Sequence, residues 1–317
     1  MKIKQLLIAV CIGTMLAACS SKEDYTNEAE RVPIRINASI EGNLVGTRAV
    51  ENSANLHGTS FVNGENNIFV NIFYTGTSDV IPSYDLNGKY DACVYNDGSL
   101  DIGDNVFFPL DGSAVDVVSI YPGIVDYPNY VPNDDYFYVQ KDQSTDEKYR
   151  LSDFMYASAS GCIPGEPINL TYRHLLSKII VKLNGYEGTA SDYSVTIKQV
   201  QTGTNLDDNG TKLVSLAITQ EEEKQRIADI KMGNYDDAGV TAIVIPQTIS
   251  GGKKLFEVKI GSSTYQYTTD EEINFVSGHV YTFNLTFDGN AISTTSIDIE
   301  GWTGKDAADH KYNGNLE

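Results

Sequence analysis

The chain has 317 residues, and its 23 Lys and Arg against 43 Asp and Glu give a formal net charge of −20. Nucleic acids and anionic membrane surfaces are bound by clustered positive charge, so this acidic balance argues against both as partners. The 20 tyrosines and 27 glycines, with only 21% charged residues, are typical of a folded, strand-rich protein rather than a disordered one.

The first residues of the chain predict an export signal. Lys2 and Lys4 precede the apolar residues 6–18, which end in small residues directly before Cys19. This arrangement resembles a bacterial lipoprotein signal, which implies cleavage after residue 18 and attachment of lipid to Cys19. An ordinary secretory signal that ends beside a cysteine is the alternative. We therefore expect a signal peptide over residues 1–18, and a lipidated cysteine with a polar tether over residues 19–31.

The clearest strand signal follows the tether. Apolar residues alternate with polar residues or proline along residues 32–40, the period of a half-buried strand. Its apolar side consists of Val32, Ile34, Ile36, Ala38 and Ile40. A glycine-punctuated loop comes next and carries Arg48 before Ala49. A trypsin-like protease is expected to reach the bond after Arg48, unless this arginine is a plain surface residue.

Short apolar segments separated by turn residues continue to the end of the chain and predict an all-β protein. A glycine- and proline-rich stretch over residues 161–167 predicts a linker. The simplest architecture is two tandem antiparallel β-sandwich domains, residues 32–165 and residues 166–317. Residues 219–230 are the one helix candidate, with a solvated loop as the alternative. The predicted strands span residues 68–74, 90–94, 115–121, 136–139, 179–183, 195–200, 213–218, 241–245, 255–260, 280–287 and 292–299.

No motif in the sequence predicts catalysis, a metal or a cofactor. The four histidines are far apart, and no hydrolase or metalloprotease signature is present. We interpret His174 as a structural histidine bonded to backbone near the domain junction. Asn205 to Gly210 resembles half of a calcium loop, but Leu216 stands where a bidentate Glu is needed. A hairpin turn through Asn209 and Gly210 explains this loop better.

Two further features leave alternatives open. Cys93 and Cys162 are the cysteines that follow Cys19, and they form either a disulfide or two free thiols. Trp302 and the tyrosines could stack on sugars, although tyrosine is also a good strand former.

Several segments, taken in order, resemble the fimbrillin family of Bacteroides-type bacteria. After the lipoprotein signal and the first strand, they are Thr47-Arg48-Ala49, residues 117–122 (VVSIYP), 152–157 (SDFMYA), 170–178 (LTYRHLLSK), 244–248 (VIPQT) and 275–285 (FVSGHVYTFNL). The resemblance implies a type V pilus subunit that is exported as a lipoprotein, with two transthyretin-like β-sandwich domains and no enzymatic activity. It also implies a place at the cell outer membrane, exposed at the surface, and then in the fimbrium.

The resemblance further implies assembly by strand exchange. In this family a trypsin-like protease cuts after an arginine behind the first strand, and the vacated groove accepts a strand from a neighbouring subunit. Carried over here, the cut falls between Arg48 and Ala49 and the lost strand is residues 32–40. Five inward apolar side chains amount to something on the order of 10 kcal/mol, comparable with a domain's roughly 5–15 kcal/mol of stability. Such a strand must be replaced by an equivalent one.

The C-terminal hairpin is the candidate donor, and its last strand carries Ile292, Ile297 and Ile299. Ile297, Ile299 and Thr295 are expected to point to one side of this strand. The expected partners are other fimbrillin subunits, the processing protease, outer-membrane lipid held through Cys19 before processing, and a host or bacterial surface ligand. Stalk, tip and anchor positions all stay open. A monomeric surface glycan-binding lipoprotein on the same kind of sandwich is the rival function.

Overall fold

The computed structural model describes residues 31–41, 61, 64, 68–77, 79, 81, 89–95, 97–123, 136–207, 215–217, 226–236, 239–302 and 311–312. Strands dominate these residues, which confirms the all-β prediction. The finer prediction of two tandem transthyretin-like sandwiches stays a prediction. No helix among the described residues is long and apolar enough to cross a bilayer.

The first half of the chain forms a closed sheet, with β6 and α1 lying outside it. Its strands follow one another in the order β1-β4-β3-β2-β5-β7-β8, and β8 returns to pair with β1. We refer to this unit as the closed sheet. The elements are β1 (Ile36–Ile40), β2 (Ile68–Tyr74), β3 (Lys89–Val94), β4 (Ser99–Asp101), β5 (Val115–Tyr121), β6 (Tyr136–Tyr138), α1 (Asp146–Arg150), β7 (Met155–Cys162) and β8 (Ile168–His174).

The second half forms open sheets. The largest has the order β14-β15-β9-β20-β21-β22, and another runs β13-β10-β17-β18. Strand β6 joins a third sheet, β12-β11-β6, and β16 pairs with β19. The elements are β9 (Ser177–Asn184), a 3-10 turn (Ala190–Asp192), β10 (Tyr193–Gln201), β11 (Gly203–Asp207), β12 (Ser215–Ala217), β13 (Ile227–Lys231), β14 (Gly233–Asp236), β15 (Gly239–Val244), β16 (Thr248–Ile249), β17 (Lys254–Ile260), β18 (Ser263–Thr268), β19 (Ile273–Asn274), β20 (His279–Phe287), β21 (Ile292–Gly301) and β22 (Lys311–Tyr312).

Two hydrophobic cores lie on either side of β5. Val115 and Val117 belong to the core inside the closed sheet, whereas Val118 and Ile120 belong to the core of the second half. Successive side chains of a strand point to opposite faces, so a strand buried on both faces serves two cores at once. This explains why β5 is apolar almost throughout. The closed sheet continues to His174, and the division of the chain at residue 165 stays a prediction.

Two local predictions need correction. The connection predicted over residues 161–167 is shorter, because Gly161 and Cys162 belong to β7. Residues 163–167 join β7 to β8, and these two strands pair with each other at their far ends. The helix considered for residues 219–230 is wrong at its C-terminal end, where Ile227 to Ile230 lie in β13. Residues 218–225 lie outside the described part of the chain.

Candidate functional site

The candidate site is strand β1 together with the groove that holds it in the closed sheet. We call this groove, which lies between β4 and β8, the seat of β1. Along β1 the side chains of Ile36, Ala38 and Ile40 are buried, and Ile34 just before the strand is buried as well. Arg35 and Asn37 between them are exposed. The predicted alternation is therefore present. We call the four buried side chains the inward row, and in chain order they are large, large, small and large.

Strand β1 closes the sheet between β8 and β4. It runs parallel to β8 over five residue pairs, from Ile36 beside Ile168 to Ile40 beside Tyr172. On its other side, it runs antiparallel to β4, with Ile36 opposite Leu100. The backbone N–H of Ile168 donates to the Arg35 carbonyl at 2.8 Å, and that of Glu41 donates to the Tyr172 carbonyl at 2.7 Å. Losing β1 would therefore expose backbone groups on both neighbours.

The chain before β1 is also held. Pro33 bridges Phe107, the backbone N–H of Ile34 donates to the Val106 carbonyl at 2.9 Å, and that of Phe108 donates to the Val32 carbonyl at 2.9 Å. Val32 itself is half-buried against the core of the closed sheet. Proline lacks an N–H and suits a strand end or an edge. The whole predicted segment, residues 32–40, is thus seated, although only residues 36–40 form a regular strand.

The outer side of β1 carries weak polar contacts. The Asn37 side-chain amide donates to Asn169 Oδ1 at 3.0 Å in an exposed position. The Ser39 hydroxyl lies 3.4 Å from the Leu170 carbonyl. Exposed side-chain bonds contribute little net free energy. Burial of the inward row, together with the backbone ladder, therefore dominates the retention of β1.

Aromatic side chains lie at the C-terminal end of the β1 seat. The ring of Tyr172 is fully buried, its hydroxyl bonds the Ser119 hydroxyl, and burial raises its pKa although the Ser119 bond opposes the rise. Phe61 packs edge-on against Tyr172 and Tyr121, with ring centroids 5.0 and 5.6 Å apart. Phe61 lies beyond the predicted cleavage bond and packs against the Tyr172 ring that neighbours Ile40.

The residues predicted for processing and lipidation, Arg48, Ala49 and Cys19, lie outside the described residues. The described residues after β1 end at Glu41 and begin again at Phe61. Cleavage after Arg48 would separate β1 from the remainder of the chain without cutting any described strand.

Strand β21 contains the candidate donor residues. Ile292, Ile297 and Ile299 are half-buried and pack on the core of the second half, so all three share one face. An odd spacing from Ile292 to Ile297 would place them on opposite faces of a regular strand. A β-bulge corrects this, because Ser296 pairs with Asn284 while Thr294 pairs with Leu285.

Two of these isoleucines, Ile297 and Ile299, line a cleft of about 500 Å³. Residues 270–274 form one wall, and Thr294, Ile297 and Ile299 contribute to the other. Strand β22 pairs with β21 at Ile297 and Asp298.

His174 lies in a buried cluster that the sequence did not predict. Its Nδ1 is 2.7 Å from Asp153 Oδ1, and its ring stacks on Trp302 with centroids 4.1 Å apart and planes 4° apart. All three residues are buried. The partner shown is a carboxylate, whereas we expected a backbone group. Trp302, at 6% exposure, presents no open face for a sugar.

The remaining predicted features show no chemical site. Cys93 and Cys162 are free thiols, and burial raises the pKa of both, which disfavours the reactive thiolate. Asn205 and Asp207 lie in β11 and pair with β12, and the rest of that loop lies outside the described residues. Within the described ranges, no three His, Cys, Asp or Glu side chains are grouped as metal ligands.

Comparisons with known proteins found a matching family model and solved structures similar to this chain. The family model described as fimbrillin-like matches residues 47–302. A candidate cell adhesion protein from Bacteroides uniformis has 19% identity and a TM-score of 0.60, with 86% of this chain and 99% of that chain covered. One from Bacteroides ovatus also has 19% identity and a TM-score of 0.60, with coverage of 86% and 98%. These two likenesses show a shared fold. Among curated proteins, no sequence matches.

Proposed function

Because the chain belongs to the fimbrillin-like family, we propose that it is a structural and adhesive subunit of a cell-surface fimbria, assembled by protease-triggered strand exchange. Membership supports a pilus subunit or adhesin at the cell surface and suggests a structural, non-enzymatic protein. Cleavage after Arg48 and strand exchange are proposed in addition to what family membership supports.

The seat of β1 is the observation that carries the exchange step. This strand comes first in the described chain, and it closes a sheet whose other strands all follow residue 60. Cleavage between Arg48 and Ala49 would leave β1 held only by non-covalent contacts. An empty seat would expose the unpaired edges of β4 and β8 and the apolar interior, so an extended strand from another subunit is the natural replacement.

The remaining partners follow from the ends of the chain. Export as a lipoprotein through Cys19 would hold the precursor on the outer membrane before processing, and a trypsin-like protease would release it. The C-terminal strand with Ile292, Ile297 and Ile299 is the proposed donor. Its half-buried isoleucines are consistent with this role. Detaching a half-buried strand from its own subunit loses less apolar contact than detaching a fully buried one.

Limited proteolysis tests the proposal. Purified protein lacking the lipid is treated with limiting trypsin and followed by N-terminal sequencing and size-exclusion chromatography. We expect a new N-terminus at Ala49, followed by growth into a ladder of oligomers. The matched Arg48→Gln variant should keep its N-terminus and stay monomeric. A protein that is cut at this bond and yet remains monomeric would contradict assembly by exchange between its own copies.

A further inference from the structure

The cleft of about 500 Å³ beside β21 combines two kinds of surface. Ile273, Ile297 and Ile299 line it, and all three side chains are half-buried. Its volume lies in the range of about 300–1,000 Å³ that is typical of ligand sites. Three consecutive acidic residues, all exposed, also line it: Asp270, Glu271 and Glu272. We call it the acidic cleft.

The negative charge of the acidic cleft is not balanced by its own lining. Among the described residues that line it, none is Lys, Arg or His. The chain as a whole carries a net charge of −20, so the surrounding protein adds to the negative potential on average. A cleft lined by one sign of charge concentrates ligands of the opposite sign. The acidic cleft therefore favours a cationic group and repels acidic polymers.

The isoleucines favour a ligand that is apolar as well as cationic. Lys and Arg side chains combine the two properties, because their methylene stems cover apolar surface while the charged head stays in water. In the acidic cleft the stem would contact Ile297 and Ile299, and the head would lie beside the carboxylates of residues 270–272. An arginine would also form paired hydrogen bonds with a carboxylate.

Two other kinds of ligand fit the acidic cleft less well. Tyr267 also lines it but is only 4% exposed, so its ring presents no open face for a sugar. Residues 270–272 are not grouped as metal ligands within the described ranges. A small metal ion would in any case leave the surface of the isoleucines uncovered.

We propose that the acidic cleft binds a segment of a partner protein in which a Lys or Arg lies between apolar residues. The cation meets the carboxylates, and its apolar neighbours extend the contact over the isoleucines. This inference rests on the adhesive part of the proposed function, to which it adds a site and the chemistry of the ligand. It depends neither on cleavage after Arg48 nor on the seat of β1.

Peptide binding to the uncleaved protein tests the inference. The full mature chain without its lipid is titrated in a calorimeter with the peptide Gly-Leu-Lys-Leu-Lys-Leu-Gly, which is acetylated and amidated at its ends. We expect binding that weakens as sodium chloride is added, because salt screens exposed charges. The same peptide with Glu in place of Lys should not bind, and the one with Ser in place of Leu should bind more weakly. Equal binding of all three peptides would overturn the proposal.

Two triple variants separate the acidic cleft from the general charge of the protein. Neutralising the cleft should weaken binding of the lysine peptide by at least about threefold, since several exposed ion pairs are lost together. This variant carries Asp270→Asn, Glu271→Gln and Glu272→Gln. The control removes the same charge from exposed positions elsewhere and should bind like the native protein; it carries Asp104→Asn, Glu166→Gln and Glu187→Gln. Equal affinity of the two variants would refute the site.

A second measurement locates the peptide on the native protein. A nitroxide-labelled form of the lysine peptide should broaden the amide NMR signals of Ile273 and Ser296, which line the acidic cleft, and spare that of Val94 in the closed sheet. Broadening elsewhere would overturn the proposal. If the peptide binds only after residues 303–317 are removed, the chain's own tail occupies the cleft and the proposed partner is wrong.

Failure of this inference differs from failure of the assembly proposal. If the lysine peptide does not bind while trypsin still produces a ladder of oligomers, the acidic cleft is refuted and assembly by strand exchange stands. If the peptide binds as expected while the cleaved protein stays monomeric, strand exchange is refuted and the acidic cleft stands.

Discussion

Ile36 should carry a large share of the free energy that holds β1 in place. Its side chain is 2% exposed, between Leu100 of β4 and Ile168 of β8, which are themselves buried. Truncating a buried isoleucine to alanine costs about 2–5 kcal/mol, because transfer free energy is lost and a cavity remains. In the Ile36→Ala protein the equilibrium for release of β1 after cleavage should therefore rise about 30-fold to several thousand-fold.

The assay measures release from the cleaved protein. The strand fragment carries a dye on its polar N-terminal tether, and size-exclusion chromatography separates free from bound fragment as urea is increased. Asn37→Ala is the matched control, because Asn37 is the next residue, is exposed and makes one exposed bond to Asn169. Its cost should stay below about 1 kcal/mol. Equal release from the two variants would show that backbone pairing, rather than side-chain burial, retains the strand.

Three other outcomes follow from contacts described in the closed sheet and at the C-terminal hairpin. Gly98→Ala should lower the urea midpoint of unfolding more than Gly103→Ala does. Both glycines have positive φ, but only a Cβ at Gly98 would approach another backbone atom. Equal shifts in the two variants would mean that backbone strain alone accounts for the loss of stability. His174→Ala should cost about 3–5 kcal/mol by leaving the Asp153 carboxylate buried and unpaired, and Asp153→Asn in that background should recover part of the loss in urea unfolding. Backbone N–H groups in the turn after β20 lower the pKa of Asp288 below 3.8. Its stabilisation is therefore present above pH 3.8 and lost as the pH falls through the lowered value, so Asp288→Asn should flatten the fall in stability measured by urea unfolding between pH 5 and pH 2.

Much of the strand content was predictable from local pattern. Residues 68–74, 115–121 and 280–287 were predicted as strands with the bounds that β2, β5 and all but the first residue of β20 have. These segments are apolar and β-branched or aromatic, and turn residues bound them, so local preference and tertiary burial agree.

The hairpin of β7 and β8 was missed because its turn chemistry is also that of a linker. Gly161 and Gly165 both adopt positive φ, which a flexible connection and a tight turn allow equally. Only the pairing of β8 with β1, far away in the sequence, distinguishes the two. The sequence pattern holds no record of that partner.

Some features of the candidate site were likewise predictable from the sequence and others were not. The inward residues of β1 followed from the period of two, because alternation alone determines which face is apolar. The shared face of Ile292 and Ile297 depends on a bulge, and the contact of His174 with Trp302 depends on tertiary packing. Neither leaves a periodic signal in the sequence.

The pairing of β1 with β8 also bears on the order of folding. Asn37 and Asn169, which contact each other across these strands, are separated by 132 residues. Closing so long a loop is entropically costly, and contacts of high sequence separation slow folding. During synthesis the N-terminal strand therefore leaves the ribosome long before its parallel neighbour is made. The pairing of β1 with β8 should therefore form late in folding. Until it forms, a chaperone or a strand from another protein could bind the free edge of β8 in place of β1.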